Sequence, residues 1–316
     1  MRMRLVLGMV LLCGAQVQAE EGKQLLTLKG SVTCLAISAD GKWLATGNSD
    51  GKVELYDAAT GKLTETLAAH GEDGVQTVGF SPDAKLLVST GSDRDSSLKI
   101  WDLATKKMTA KLNEATKAKS DVLSSVAFSP DGKMLAAVGN PGMRVWDVAS
   151  KKLLASTKSD VIAGGKHIEF SHDGKLLAWC GSKYGNPAHK NSVLLWDVAG
   201  AKLAGTLSDH ADLVWGCAFA GPGVLVSGSE DKTVKFWDVT ARKVTGTAKD
   251  NTDAITTVAA SPDGKRIATA GNDGAIKVRE VPGGKVVATQ KGFWAAFLAD
   301  GSLVTADNAV RLWHLK

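Results

Sequence analysis

DHADLVWGCAFAGPGVLVSGSEDKTVKFWDVTARKVTGT, residues 209–247, reads as four short strands and nothing longer. Leu213 to Phe219, Val224 to Gly228, Thr233 to Trp237 and Lys243 to Thr247 are rich in β-branched and aromatic residues, with Gly, Pro and Asp punctuating the gaps. No long helical period competes here or elsewhere in the chain. A single four-stranded sheet buries too little to stand alone, so its copies decide the fold.

The copies are there. A turn recurs seven times: Ser38-Ala39-Asp40-Gly41, Ser81-Pro82-Asp83-Ala84, Ser129-Pro130-Asp131-Gly132, Ser171-His172-Asp173-Gly174, Gly221-Pro222-Gly223, Ser261-Pro262-Asp263-Gly264 and Ala299-Asp300-Gly301. Seven strand ends follow them: Tyr56-Asp57, Trp101-Asp102, Trp146-Asp147, Trp196-Asp197, Trp237-Asp238, Arg279-Glu280 and Trp313-His314. Successive ends lie 45, 45, 50, 41, 42 and 34 residues apart. That is the period of roughly 40 to 45 residues of a four-stranded propeller blade, and helical solenoids do not fit it. The expectation is an all-β, seven-bladed β-propeller of four-stranded antiparallel blades.

The seventh unit lacks a fourth strand of its own before Lys316, and the sequence supplies a substitute. Gly22-Lys23-Gln24-Leu25-Leu26-Thr27-Leu28 resembles the fourth strands Gly61-Lys62-Leu63-Thr64-Glu65-Thr66-Leu67 and Gly284-Lys285-Val286-Val287-Ala288-Thr289. We therefore expect the propeller to be closed by the N-terminal strand completing the last blade, which removes an aggregation-prone edge.

These residues resemble the WD-repeat β-propellers over essentially all of residues 22–316. The fifth unit is the most complete, with His210, Ser227, Asp231 and Trp237; the second follows with His70, Thr90, Asp95 and Trp101. Tyr56, Arg279-Glu280, His314 and a short seventh unit depart from the pattern. His210, Ser227 and Asp231 also contain the residue types of a hydrolase triad. The resemblance implies instead a buried hydrogen-bond network whose Ser is directed at the Trp indole, and its recurrence in the second unit agrees, since one active site would not be duplicated around a ring. No catalytic residue and no metal ligand is assigned.

Composition narrows the function. The 316 residues are 44% hydrophobic and 22% charged, which suits one or two globular units. Met1-Arg2-Met3-Arg4, the apolar run Leu5 to Leu12 and Val17-Gln18-Ala19 match a secretory signal, giving residues 1–19 as a cleaved leader and 20–316 as one propeller domain. The run is too short for a permanent membrane span. Cys13 follows Leu12, where lipoprotein processing wants a small residue. Beyond the leader, 36 basic residues face 33 acidic ones, too even a balance for nucleic acid. Cys34, Cys180 and Cys217 remain, an odd number without a disulfide framework; buried thiols are the expectation, and a Cys180–Cys217 bridge between neighbouring repeats stays open. Nucleotide-loop, zinc-ribbon and metalloprotease motifs are missing from the sequence, so no cofactor is expected. His172 takes a turn position where sister repeats have Pro, and Trp43 and Trp179 fall on second strands, where packing between blades is the default.

Binding residues concentrate on loops held by a rigid scaffold. The resemblance implies that the residue after the first apolar position of each inner strand faces one mouth of the channel, where partners dock. In this chain those residues are Thr33, Gln76, Ser124, Lys166, Trp215, Thr256 and Phe293. Trp215 and Phe293 are the aromatic anchors, unless Trp215 tucks into the core between blades. The fourth unit carries an insertion, residues 181–191, whose Tyr184 and His189 would extend that surface. The expected function is a non-catalytic, monomeric protein-interaction platform in the periplasm or exported, of bacterial type. Two alternatives stand beside it: a propeller-framed enzyme of lactonase-like, quinone or haem type, and a binder of a small ligand or glycan stacking on Trp215, Phe293 and Tyr184.

Overall fold

The computed structural model describes residues 22–28, 31–91, 95, 97–112, 122–140, 142–157, 165–180 and 189–315; the leader and Tyr184 lie outside the described residues. Strands are numbered in chain order. The first sheet contains β2 (Val32–Ile37), β3 (Trp43–Asn48), β4 (Lys52–Asp57) and β5 (Lys62–Ala68), after β1 (Lys23–Thr27). The second contains β6 (Val75–Phe80), β7 (Leu86–Gly91), β8 (Leu98–Asp102) and β9 (Lys107–Leu112); the third β10 (Leu123–Phe128), β11 (Met134–Gly139), β12 (Gly142–Asp147) and β13 (Leu153–Ser156). The fourth is β14 (His167–Phe170), β15 (Leu176–Cys180), β16 (Ser192–Asp197) and β17 (Lys202–Ser208); the fifth β18 (Val214–Phe219), β19 (Val224–Ser229), β20 (Val234–Asp238) and β21 (Lys243–Ala248). The sixth is β22 (Ile255–Ala260), β23 (Arg266–Gly271), β24 (Ala275–Glu280) and β25 (Val286–Lys291), and the last three strands are β26 (Trp294–Phe297), β27 (Leu303–Ala306) and β28 (Ala309–Trp313).

Each of the first six sheets is an antiparallel meander in chain order, and the seventh has the order β1-β28-β27-β26. The molecule is a seven-bladed β-propeller. β1 pairs with β28 from Lys23 opposite Leu312 to Thr27 opposite Ala309.

Both faces of every sheet are apolar, so every sheet needs two neighbours. The core accordingly divides into seven clusters, each shared by two adjacent sheets. Ala45, Val53 and Leu55 of the first sheet meet Val75, Val78 and Trp101 of the second. Leu44 of the first meets Val304 and Val310 of the seventh, with Leu25 and Leu26 of β1 packed alongside. The second strands lie deepest; β7, β11 and β23 are buried at every position after the first. Because both of their faces are covered, they read as continuous apolar or small-residue runs and not as alternation. The fourth strands are the most exposed and carry lysines such as Lys62, Lys107, Lys202 and Lys243.

The recurring turn is built by its own side chains. Ser38 Oγ donates to Asp40 Oδ1 at 2.7 Å, and that carboxylate accepts the Lys42 N–H at 3.1 Å, while Ser38 Oγ accepts the Trp43 N–H at 2.9 Å. The same arrangement recurs at Ser81, Ser129, Ser171 and Ser261. Its fourth residue has positive φ, +68° at Gly41, a conformation that costs a Cβ-bearing residue and that Ala84 nevertheless adopts at φ 54°.

Candidate functional site

The inner strands share a distortion at one end. In β2, β6, β10, β18 and β22 the register with the second strand slips between the first and third residues, leaving Thr33, Gln76, Ser124, Trp215 and Thr256 as the bulged residues. A bulge re-aims its side chain out of the pleat. Lys166 and Phe293 stand just before β14 and β26, their own N–H groups donating to Cys180 O and Ala306 O at 2.8 Å. All seven side chains keep contact with solvent, whereas Val75, Leu123, Gly165, Val214 and Ile255 beside them are buried. All seven stand at the starting end of their inner strands, five of them on a bulge.

That face is chemically uneven. Phe293 is 57% exposed and has the Gly274 turn of the sixth sheet beside its ring. Trp215 is half-buried, outside the apolar cluster between the fourth and fifth sheets, and the ammonium of Lys166 sits 5.2 Å above its ring. Such a cation–π contact holds the indole at the surface and leaves the lysine charge available. Thr33 Oγ1 donates to Val75 O at 2.6 Å, tying two neighbouring inner strands at the same level. Gln76 is exposed. His189 is set apart from this group, with Nδ1 3.5 Å from Thr206 Oγ1 on the outermost strand of its own sheet.

Beneath the same face lie the polar networks. In the fifth sheet the Trp237 indole N–H donates to Ser227 Oγ at 2.8 Å, Ser227 Oγ lies 2.7 Å from His210 Nε2, and His210 Nδ1 lies 2.8 Å from Asp231 Oδ2. With the proton on Nδ1 every partner is satisfied in one direction: Trp to Ser, Ser to His, His to Asp. Asp231 also accepts the Thr233 hydroxyl at 2.6 Å. A catalytic serine needs an accessible Oγ, but Ser227 is fully buried and spends its lone pair on the indole. The arrangement is a brace between the loop that leads into the sheet and its second and third strands.

The second sheet repeats this brace with one correction to the sequence reading. Ser89, not Thr90, is its hydroxyl: Ser89 Oγ lies 2.9 Å from His70 Nε2 and accepts the Trp101 indole N–H at 2.9 Å, while Asp95 Oδ2 lies 3.0 Å from His70 Nδ1. Thr90 points to the opposite side of the sheet and donates to Leu123 O of the third sheet at 3.0 Å. Successive strand residues face opposite ways, so a shift of one residue changes the partner entirely.

The departures from the repeat pattern have local substitutes. Arg279, fully buried at the tryptophan position of the sixth sheet, reaches back to Asp250 Oδ1 at 2.8 Å, Asn251 Oδ1 at 3.1 Å and Gly284 O at 3.2 Å, linking the third strand to the loop that leads into the sheet and to the turn before the fourth strand. In the seventh sheet the Trp313 indole donates to Thr305 Oγ1 at 2.9 Å. In the fourth, Trp179 occupies the position of the network serine, fully buried and 6.2 Å from Trp196.

The networks make stability acid-sensitive in two stages. Burial, helped at His70 by the nearby Lys99 charge, holds His70 and His210 below the ordinary histidine range, so both stay neutral in the folded protein. Partial burial works against ionised Asp231, but hydrogen bonds from Thr233 and His210 outweigh it and bring the carboxylate down to about 2. Asp95 is lowered in the same way by Ser97, Lys99 and His70 against its own burial. In both stages the unfolded chain binds more protons than the native one, so stability falls as pH falls. The urea midpoint should drop first as pH goes below the unfolded histidine value of about 6.5, then again below the unfolded aspartate value of about 3.9. A His70→Asn, His210→Asn variant should lose the first stage and keep the second; a midpoint that rises on acidification contradicts this account.

Some ionisable groups were not singled out from sequence. Half-buried Glu169 on β14 is pushed up to about 8 by burial, supported only by the Phe219 N–H at 3.4 Å, and His167 on the same strand places Nδ1 3.9 Å from Cys217 Sγ. A lone Glu or His on a short strand carries no sequence signal of this. No group of three or more His, Cys, Asp or Glu side chains able to hold a metal occurs among the described residues. No described helix is long and apolar enough to cross a membrane. His172 is an exposed turn residue beside Pro130 and Asp131.

Comparison with known proteins points in one direction. Residues 111–147, 201–238 and 242–279 match the family profile described as WD domain, G-beta repeat, and residues 18–111 match the Vps8 beta-propeller profile. WD repeat-containing protein 1 of Gallus gallus is 28% identical over 47% of this chain and 26% of its own length. WD repeat and SOCS box-containing protein 1 of Mus musculus is 35% identical over 30% of this chain and 22% of its own length. Cilia- and flagella-associated protein 52 of Homo sapiens is 26% identical over 43% and 23% respectively. The chain spans about a quarter of the length of these relatives.

Proposed function

Since the chain belongs to the WD-repeat β-propeller family, we propose that it is a non-catalytic platform that binds a partner protein on the face defined by the inner-strand bulges. Members of this family generally act as protein-interaction scaffolds, and the face has what a docking site requires: a rigid frame, exposed Phe293, and Trp215 held under Lys166. Aromatic residues at the centre of such a surface carry most of the binding energy when a partner desolvates them. The bulges support this reading, because they set five otherwise unrelated side chains at the same place on their inner strands without help from a ligand. Export through the leader, residues 1–19, followed by action as a monomer in the periplasm or outside the cell, belongs to the same proposal.

The mouth positions Thr33, Gln76, Ser124, Lys166, Trp215, Thr256 and Phe293 include no His, Asp, Glu or Cys, which speaks against a propeller-framed enzyme working at this mouth. Affinity capture with the wild type and a Trp215→Ala, Phe293→Ala variant, matched by circular dichroism, tests the proposal. The variant should lose proteins that the wild type retains, with at least a tenfold weaker Kd for each, as expected for two anchors worth about 1–2 kcal/mol apiece. Identical capture by both proteins places the binding site elsewhere.

A further inference from the structure

The junction between the fourth and fifth sheets holds a thiol pair that neither the binding face nor the networks use. Cys180 ends β15 and Cys217 lies within β18; both are buried in one apolar cluster, and neither is bonded. The two strands pack directly on each other. His167, the register partner of Cys180, places Nδ1 3.9 Å from Cys217 Sγ. Two sulfurs and an imidazole therefore converge from two neighbouring blades. Cys34 sits at a different junction, between the first and second sheets, with Thr33 as its hydroxyl neighbour at 3.9 Å.

We propose that Cys180 and Cys217 form an interblade disulfide site, closed when the chain folds in the presence of a small-molecule or protein disulfide oxidant. With glutathione disulfide as the oxidant, the thiolate of one cysteine attacks a glutathione sulfur and expels one glutathione thiolate. The other cysteine, its proton passed to His167 or water, then attacks the protein sulfur of the mixed disulfide and expels the second. The two protein thiols are oxidised by two electrons, glutathione disulfide is reduced to two glutathiones, and two protons complete the balance.

The timing follows from burial. The contact with Cys180 and the apolar surroundings hold the Cys217 thiol well above its ordinary range, so the folded, reduced protein offers almost no thiolate to an oxidant. The bond forms during folding or hardly at all. Once made, the same burial shields it from reductants. The pair thus records the redox state of the compartment in which the chain folded.

The experiment compares urea-unfolded, reduced protein refolded with glutathione disulfide against folded, reduced protein exposed to the same buffer. The refolded sample should lose two hydrogens in intact mass, yield a Cys180–Cys217 linked peptide, leave Cys34 open to alkylation, and melt about 6 °C higher, as closing a loop of this length predicts. The folded sample should keep three alkylatable thiols over the same hours, and a Cys180→Ser, Cys217→Ser variant should melt at the same temperature with or without oxidant. Peptide mapping of protein isolated without refolding from an oxidising and a reducing host repeats the comparison if refolding is poor. A native-like refolded protein with all three thiols free, or with glutathione adducts in place of the linked peptide, overturns the proposal.

Discussion

Starting the chain at Lys29 in place of Glu20 should lower the thermal midpoint by about 6 °C and make the protein aggregate. β1 contributes the outer strand of the seventh sheet, pairing with β28, and Leu28 N–H donates to Asn308 O at 3.0 Å beyond the strand. Leu25, Leu26 and Leu28 pack against the cluster that joins the seventh sheet to Leu44 and Ala58 of the first. Three partly buried leucines and several ladder hydrogen bonds amount to roughly 4 kcal/mol, and in a chain of this size each kcal/mol moves Tm by about 1.5–2 °C. The bare β28 would also present unpaired N–H and C=O groups along a Val310–Leu312 edge, a template for another chain. Differential scanning calorimetry and light scattering read the two effects. A truncated chain that melts with the full one would show that β1 contributes nothing to the ring.

Ser89→Ala should cost about 3 kcal/mol in urea unfolding, and its neighbour Thr90→Ala about 1 kcal/mol. Removing the Ser89 hydroxyl strands two buried groups, His70 Nε2 and the Trp101 indole N–H, each of which loses its partner at 2.9 Å. Removing the Thr90 hydroxyl leaves only Leu123 O short of one donor. Orphaned buried donors and acceptors cost about 1–3 kcal/mol each, which separates the two variants. Ser227→Ala should match Ser89→Ala, since Ser227 holds the same position between His210 and Trp237. Equal costs for Ser89 and Thr90 would return the network to the residue that the repeat alignment favoured.

That one-residue difference marks how far the chain could be read without coordinates. The Ser-Pro-Asp-Gly turns, the Trp-Asp strand ends and their spacing are local signals, so blade number, strand count and the pairing partner expected for Lys23 to Thr27 were all legible. The polar residues of the fifth blade were legible too, because there the resemblance to the WD repeat, with His210, Ser227, Asp231 and Trp237, is most complete. In the second blade Ser89-Thr90-Gly91 offers two hydroxyls on opposite sides of one strand, and only the register of β7 against β8 says which one meets the indole. Arg279 read as a lapse in the pattern; its link to Asp250 joins residues 29 positions apart and needs the folded blade to exist.

The binding face divides along the same line. Sequence alone determined the architecture of this protein, since seven repeats of turn and strand leave a ring as the arrangement that buries both faces of every sheet. The resemblance to WD-repeat propellers named the seven inner-strand positions as a binding face. Tertiary structure decided how those side chains are used: five stand on bulges, Lys166 covers Trp215, Phe293 is exposed beside the Gly274 turn, and His189 goes to the outer strand. Tertiary structure likewise brought Cys180, Cys217 and His167 together from two blades. Repetition encodes what every blade does alike, through short-range propensity and pattern; contacts between blades depend on which face each residue presents, and a single step of register reverses that.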